Sequence, residues 1–159
     1  MTGALPQPWS SSSGGSRPGE GSRLSGVIGA AASLTGRKVL VVDDEPYIVK
    51  ILSFKLRLSG MVPLEASGGE EALRLVREES PDLVLLDISL SHGLTGLDLC
   101  RILKENPATS AVPVIMLTAR SLPTDRDQGF ALGASSYITK PFSTRSLIQE
   151  IERVLSEHG

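Results

Sequence analysis

The stretch KVLVVDDEPYIVKIL, from Lys38 to Leu52, decides how the chain folds. Its first residues form a short apolar, β-branched run, which predicts a buried strand. Three carboxylates follow directly at positions 43–45, and Pro46 then opens a segment with apolar residues at helical spacing. Like charges this close repel one another, so a cation or a proton is expected to balance them. The stretch predicts a strand, an acidic turn and a helix.

The same alternation of apolar runs and amphipathic segments continues along the chain, and it is typical of βαβ units in a parallel sheet. Two of the apolar runs, Leu83–Leu86 and Val112–Leu117, consist almost entirely of hydrophobic residues. Such runs indicate central strands that are covered on both faces. Pro63 favours an outer position for its strand. The predicted fold is α/β, a doubly wound five-stranded parallel sheet with five helices. The predicted strands are Lys38–Val42, Met61–Ala66, Asp82–Asp87, Val112–Leu117 and Ser135–Thr139.

The five helices are predicted from apolar residues at helical spacing and from their end signals. Ser67 and Glu70 have the spacing of a capping box at the start of the second helix. The first helix is expected from Pro46 to Ser59, the second from Ser67, the third around Leu99–Leu103 and ending before Pro107, the fourth at Thr124–Leu132 with Gly133 as its C-terminal cap, and the last around Leu147–Leu155.

The composition divides the chain into two parts. Residues 1–36 hold most of the Ser-Gly-Pro excess and a single acid, Glu20. A segment with so little apolar surface cannot offset its ordering entropy, which predicts a disordered tail. Residues 37–159 are predicted to form one folded domain.

Charge and cysteine content restrict the class of protein. The formal net charge of −2 argues against nonspecific binding to nucleic acid. Cys100 is the sole cysteine, so no internal disulfide can form, and it is expected to be a small buried residue on a helix. No apolar run approaches the roughly 18 residues that span a bilayer. The expectation is a cytoplasmic protein with no direct contact to nucleic acid or membrane.

Polar residues end several of the predicted strands. Asp43 and Asp44 follow the first strand, Asp87 the third, Thr118 the fourth and Lys140 the fifth. Ligands of open parallel sheets bind at this carboxyl edge, and an acidic cluster there suits Mg²⁺ with its preference for oxygen ligands. One carboxylate could act as a nucleophile toward a phosphoryl group, assisted by the lysine and the hydroxyl. The alternative is an acidic pair that only favours a helix N-terminus.

Four segments, in this order, resemble the response-regulator receiver domain, the phospho-accepting module of two-component signalling. They are VLVVDDEP at 39–46, DLVLLD at 82–87, VIMLTA at 114–119 and GASSYITKPF at 133–142. The resemblance extends over residues 37–158 and implies the flavodoxin-like receiver fold for the domain at 37–159.

The resemblance implies a role for each residue of the acidic edge. Asp87 matches the phosphoacceptor. Asp43 and Asp44 match the acidic pair that holds Mg²⁺, with Asp87 and the backbone carbonyl of Ser89 completing the protein ligands. Lys140 matches the lysine that contacts the phosphoryl group.

The resemblance also implies a switch. Thr118 matches the hydroxyl residue that moves toward the phosphoryl group, and Tyr137 matches the aromatic residue that follows it inward. The surface of the fourth helix, fifth strand and fifth helix would then change shape for a partner. Lys140–Pro141 matches a junction that is usually a cis peptide in this family.

The loop after Asp87 departs from the family pattern. Ser91 stands where the family commonly has proline, and the loop to Gly96 is one residue longer. His92 in this loop is expected to be a solvated histidine. Ser89 and Arg120 border the approach of a hydrolytic water, so they are expected to influence the lifetime of the phosphorylated state.

The resemblance implies a phospho-accepting response regulator that takes part in a phosphorelay as a stand-alone receiver. It would not be an enzyme, except that it catalyses its own phosphorylation and dephosphorylation. Its partners would be a histidine kinase or histidine phosphotransfer protein and an unknown downstream protein, and it would be a monomer or a phosphorylation-dependent dimer. Alternatives are a receiver fragment of a larger regulator or hybrid histidine kinase, a phosphorylation-independent binding module, and an aspartyl-phosphate phosphohydrolase. The last typically has a second acid where this chain has Ser89.

Overall fold

The computed structural model describes residues 34–118 and 131–158. Within these ranges the chain forms five strands and four helices in an alternating order. The strands are β1 Lys38–Val42, β2 Val62–Ala66, β3 Leu83–Asp87, β4 Val114–Thr118 and β5 Ser136–Thr139. The helices are α1 Pro46–Leu58, α2 Gly69–Glu79, α3 Gly96–Glu105 and α4 Thr144–His158.

The strands form one parallel sheet in the order β2-β1-β3-β4-β5. This confirms the predicted doubly wound α/β fold, with strand bounds within two residues of those expected from the apolar runs. Four of the five predicted helices lie in the described residues. Most of the other one, predicted at Thr124–Leu132, lies outside them. Gly133, its expected cap, has a φ of +99°, a left-handed conformation that suits glycine at a helix end.

Both faces of the sheet are covered, because successive side chains of a strand point to opposite sides. Val39 and Val41 belong to one buried cluster, which also holds the apolar residues of α1 and α4. Leu40 and Val42 belong to the other cluster, with the apolar residues of α2 and α3. Burial of a leucine or valine side chain stabilises the fold by about 1.5–3 kcal/mol, so these two clusters fix the positions of the strands.

The capping box predicted from Ser67 and Glu70 is wrong. The second helix begins at Gly69 with Gly68 as its N-cap, and no side chain caps it. Ser67 instead donates from its N–H to Oε1 of Glu71 over 3.0 Å. The Ser67 register fails because Gly68 still has extended backbone and the helix begins only at Gly69.

A capping box does occur at the start of α3. The Thr95 hydroxyl accepts from the N–H of Asp98 at 3.0 Å, and the Thr95 N–H donates to the Asp98 carboxylate at 3.3 Å. The hydrogen bonds from Thr95 lower the pKa of Asp98. This helix therefore begins at a fixed position directly after the loop that follows β3.

The described chain starts with a buried residue. Leu34 belongs to the same apolar cluster as Leu56 and Met61. Gly36 donates its N–H to the carbonyl of Gly60 over 2.8 Å. The boundary between tail and domain, predicted between residues 36 and 37, stays a prediction, as does disorder in residues 1–33, which lie outside the described residues.

Among the described helices, none combines the length and the apolar character that crossing a bilayer requires. Cys100 is a buried free thiol on α3, as expected.

Candidate functional site

The register of the sheet brings the acidic strand ends together. Val42 of β1 lies beside Leu86 of β3, so the next residues, Asp43 and Asp87, lie at neighbouring strand ends. Asp43 continues the pairing with β2 by donating its N–H to Ala66 over 3.2 Å. The two carboxylates are therefore held by the backbone of the sheet rather than by a flexible loop.

Asp43, Asp44 and Asp87 form a cluster in which one carboxylate oxygen of each lies within 4.8 Å of the others. Asp43 is 1% exposed and Asp87 is 5% exposed, so water screens their mutual repulsion poorly. A donor set of three carboxylates at one sheet edge fits a hard cation with oxygen ligands and several retained waters. The residues present therefore fit the Mg²⁺ that the sequence led us to expect.

Lys140 supplies positive charge at the same edge. Its Nζ lies 3.0 Å from Oδ2 of Asp43 and 3.8 Å from Oδ2 of Asp87. Burial opposes the charged form of this lysine, but the hydrogen bond that it donates to Asp43 and the charge of Asp87 favour it, and the pKa of Lys140 is raised overall. The ammonium group thus stays charged beside the proposed phosphoacceptor, and the Lys140–Pro141 peptide bond is cis, as expected.

The carboxyl of Asp87 has a raised pKa. Burial is the main reason that the pKa of its carboxyl is raised, and the charge of Asp43 acts in the same direction. The N–H of Ser89, which donates to Oδ1 over 3.0 Å, and the charge of Lys140 oppose this shift. The Asp87 carboxyl thus lies near one cation, Lys140, and near two further carboxylates.

Asp44 is held by the loop that follows β3. The Ser91 N–H donates to Oδ2 of Asp44 at 3.0 Å, and the Ser91 hydroxyl donates a short hydrogen bond to the same oxygen. The hydroxyl is the largest cause of the lowered pKa of Asp44. The sequence had marked Ser91 only as a departure from the family pattern, since no local signal indicates a contact between residues 47 positions apart.

The site opens to solvent as a pocket of about 450 Å³. Ser89 is exposed at its rim, and the role predicted for its carbonyl stays a prediction. The pocket is large enough for a cation with its waters and a phosphoryl group. It is lined by Asp44, Glu45, Asp87, Ser89, Ser91 and Lys140.

The two predicted switch residues lie on the neighbouring strands. Thr118 ends β4 and is completely buried, and its carbonyl accepts from the N–H of Lys140 over 2.5 Å. Tyr137 on β5 is half-buried and packs against the cluster that α2 and α3 cover. Thr118 lies one residue beyond Leu117, the register partner of Asp87, which places the threonine on the strand adjacent to the site.

Two further residues were singled out from the sequence. Arg120 lies outside the described residues, and His92 is exposed.

Gly96 is a further residue of the site. An added Cβ there would lie 2.3 Å from the carbonyl oxygen of Asp87 and 2.6 Å from Cα of Ile88. The first residue of α3 therefore packs directly on the backbone of the proposed phosphoacceptor. The sequence signal for this contact was the glycine itself, at the end of the loop.

The described chain thus has a five-stranded parallel sheet with three aspartates and a lysine at its carboxyl edge. The sequence model of the response regulator receiver domain family matches residues 39–152. The chain belongs to this family.

Solved structures agree with this assignment. A putative response regulator from Chloroflexus aurantiacus is 32% identical with a TM-score of 0.73, over 77% of this chain and 99% of that one. The chemotaxis protein CheY4 of Vibrio cholerae is 28% identical with a TM-score of 0.71, over 76% and 99% of the two chains. The signal receiver domain of a signal transduction histidine kinase from Syntrophus aciditrophicus is 33% identical with a TM-score of 0.71, over 77% and 92%.

Proposed function

We propose that this receiver domain accepts a phosphoryl group on Asp87 from the phosphohistidine of a partner kinase or phosphotransfer protein. The observation that carries the proposal is the placement of Asp87 at the centre of the site. Its carboxylate has the Lys140 ammonium within 3.8 Å, and it belongs to the same cluster as two further carboxylates that suit a cation. The role is that of a cytoplasmic phosphorelay component, consistent with the reduced, buried Cys100.

In the transfer, an oxygen of Asp87 attacks phosphorus while the bond from phosphorus to the imidazole nitrogen breaks. The electron pair of that bond returns to the histidine. Because phosphoryl transfer depends mainly on positioning and charge, the residues of this chain need only hold the reacting groups in line. Lys140, already charged and 3.0 Å from Asp43, can shift to a phosphoryl oxygen as negative charge arrives.

Mg²⁺, held by Asp43, Asp44, Asp87 and the carbonyl of Ser89, would supply the positive charge that neutralises the transferring oxygens. Asp43 and Asp44 are the carboxylates that would attract such a divalent cation to the pocket.

The response to phosphorylation is proposed to pass through Thr118 and Tyr137. A phosphoryl group on Asp87 would attract the Thr118 hydroxyl, and Tyr137 would follow into the space that the threonine leaves. Such a local charge change biases an element with two arrangements. The surface that a downstream partner reads would include α4 and β5, together with the predicted fourth helix outside the described residues.

The phosphodonor partner is proposed to dock on the exposed side of α1. The α1 apolar face is defined here by four exposed side chains, Tyr47, Ile51, Phe54 and Leu58. They are 43–66% exposed, and they recur at the spacing of one helix face. A pocket of about 520 Å³ continues this face past Phe142 to Lys140 of the site. A partner helix lying on the face would therefore bring its phosphohistidine close to Asp87.

The charges around the α1 apolar face indicate the chemistry of that partner. Lys50, Lys55 and Arg57 are exposed beside it, and α1 contains no acidic residue. An amphipathic helix with carboxylates flanking its apolar side complements this pattern.

A test of the proposed function is the intact mass of the protein after brief incubation with Mg²⁺ and acetyl phosphate. We expect one added phosphoryl group in the wild type and none in Asp87→Asn or in the presence of EDTA. Asp82→Asn, in the residue directly before the opposite end of β3, is the matched control and should still be phosphorylated.

Two outcomes would contradict the proposal. Phosphorylation of Asp87→Asn at the wild-type level would place the acceptor elsewhere. A wild type that gains no mass, with no release of phosphate to indicate rapid hydrolysis, would favour a phosphorylation-independent binding module. Sustained hydrolysis of small phosphate esters would favour a phosphohydrolase.

A further inference from the structure

Ser91 makes a contact that the phosphoryl-transfer chemistry does not require. Both of its donors, the backbone N–H and the side-chain hydroxyl, point to one oxygen, Oδ2 of Asp44. The contact joins the loop after β3 to the turn after β1. Both segments lie beyond the ends of the paired strands, so the hydrogen bonds of the sheet do not join them. The proline common at this position in the family has neither donor.

The loop that carries Ser91 is fixed on both sides. Before Ser91, the Ser89 N–H donates to Asp87 and Leu90 is buried in the core. After it, Leu94 packs so closely on Gly69 that a Cβ on the glycine would lie 2.7 Å from the leucine side chain. A serine placed between two such anchors is held in one position, unlike an ordinary exposed serine.

The hydrogen bonds fix the carboxylate of Asp44 at the acidic cluster. Its Oδ2 accepts from both donors of Ser91, and one of its two oxygens lies within 4.8 Å of an oxygen of Asp43 and of Asp87. An exposed aspartate without such a partner loses side-chain entropy when it binds a metal, and partners of this kind orient metal-binding carboxylates in other proteins.

We propose that Ser91 is a positioning residue for the metal site, which holds the Asp44 carboxylate ready for a divalent cation before the cation arrives. This inference rests on the proposed function, because it requires that the acidic cluster binds Mg²⁺. It assigns to the altered loop of this chain a role in metal affinity.

The experiment is a Mg²⁺ titration of the isotope-labelled full chain, followed by amide chemical shifts in NMR spectra. Ser91→Ala removes the hydroxyl and keeps the N–H, and we expect it to weaken Mg²⁺ binding about tenfold. Ser91→Thr keeps a hydroxyl and should restore binding to within about twofold of the wild type. Ser110→Ala, an exposed serine in the connection between α3 and β4, is the matched control and should bind as the wild type does.

A thermal unfolding curve in EDTA separates positioning from a merely structural role. We expect Ser91→Ala and the wild type to unfold at the same temperature without metal, since Ser91 is exposed. Equal Mg²⁺ affinity of Ser91→Ala and the wild type would overturn the inference, and so would a loss of affinity accompanied by a lower unfolding temperature in EDTA. A wild type that binds no Mg²⁺ would overturn the proposed metal site itself.

Discussion

At the scale of single residues, the buried charge of Asp87 is a cost to the metal-free protein. Because burial and then the charge of Asp43 raise the pKa of this carboxyl, the folded protein holds the proton more firmly than the unfolded chain does. The stability that results is therefore present at low pH and is lost as the pH rises from the unfolded value near 3.8 through the folded pKa.

Asp87→Asn should therefore be more stable than the wild type at neutral pH in EDTA, because the amide carries no charge to bury. The difference should shrink as the pH falls through the folded pKa, and it should be absent below the unfolded pKa near 3.8, where both side chains are neutral. Urea denaturation between pH 3 and 8 in EDTA measures it. A wild type at least as stable as the variant at neutral pH would mean that Lys140, 3.8 Å from Asp87, compensates the buried charge fully.

At the scale of elements, the start of α3 fixes the backbone of the acceptor strand. A methyl group at Gly96 would collide with the Asp87 carbonyl at 2.3 Å, and backbone atoms on both sides leave little room for relaxation. We expect Gly96→Ala to lower the free energy of unfolding by about 1–3 kcal/mol. It should also slow phosphorylation by acetyl phosphate, because the backbone of Asp87 must shift to admit the methyl group.

Gly68→Ala is the matched control for that change. Gly68 lies next to the start of α2, and a Cβ there meets no atom within 4 Å. We expect a small loss of stability and an unchanged rate of phosphorylation. Equal effects of the two substitutions would show that contact with Asp87 is not what makes glycine necessary at position 96.

The α1 apolar face should matter for transfer from a protein and not for transfer from a small molecule. Phe54 is 56% exposed, so Phe54→Asp should change the free energy of unfolding by less than about 0.5 kcal/mol. We expect phosphotransfer from a phosphorylated kinase or phosphotransfer domain to slow at least about tenfold, through loss of an apolar contact and repulsion of partner carboxylates. Phosphorylation by acetyl phosphate should not change.

Arg77→Asp on α2 controls for the added negative charge, since α2 covers the opposite face of the sheet and Arg77 is exposed. Stopped-flow or rapid-quench transfer assays compare the two variants. If Phe54→Asp accepts phosphoryl groups from the protein donor as fast as the wild type, the donor docks on another surface.

The strands and helices whose positions depend on local sequence could be predicted from it. Contacts that depend on the conformation of a loop could not. The apolar runs of β1 and β3 located Asp43 and Asp87 because the strand ends follow from residue type. The capping box was assigned to Ser67 rather than Thr95, although Thr95 and Asp98 have the same spacing. Local spacing alone does not show where a chain turns from extended to helical backbone.

The candidate site shows the same division. Its residues could be predicted because parallel strands bring their carboxyl ends to one edge. The hydrogen bond between Ser91 and Asp44 could not, because it depends on how a lengthened loop packs on Gly69. The exposure of the α1 apolar face could not be predicted either. The sequence pattern of α1 shows many apolar residues, but it does not show which of them are buried against the sheet and which remain exposed.

At the scale of the whole molecule, a cation at the carboxyl edge should couple to global stability. Under the proposed function, Mg²⁺ would bind only where the three carboxylates are gathered, so it should stabilise the folded state by about 2.7 kcal/mol at a hundredfold excess over its Kd. We expect the unfolding temperature of the wild type to rise with Mg²⁺ and fall back with EDTA, and that of Asp44→Asn to respond far less.

Glu105→Gln, which removes an exposed carboxylate at the end of α3, is the control and should respond to Mg²⁺ as the wild type does. Differential scanning calorimetry at constant ionic strength makes the comparison. An equal response of Asp44→Asn and the wild type would mean that the stabilisation comes from general screening rather than from a specific site.

Pro63 has a consequence for the colloidal behaviour of the protein. In β2, Val62 donates its N–H inward to Arg37 over 2.8 Å, and adjacent residues of a strand direct their N–H groups to opposite sides, so position 63 faces outward. The sheet therefore loses no hydrogen bond through the missing N–H of the proline. The outer edge of β2 instead lacks one N–H donor at position 63. An edge interrupted in this way is a poor template for a strand from another molecule, which protects concentrated solutions of the protein against sheet-to-sheet aggregation.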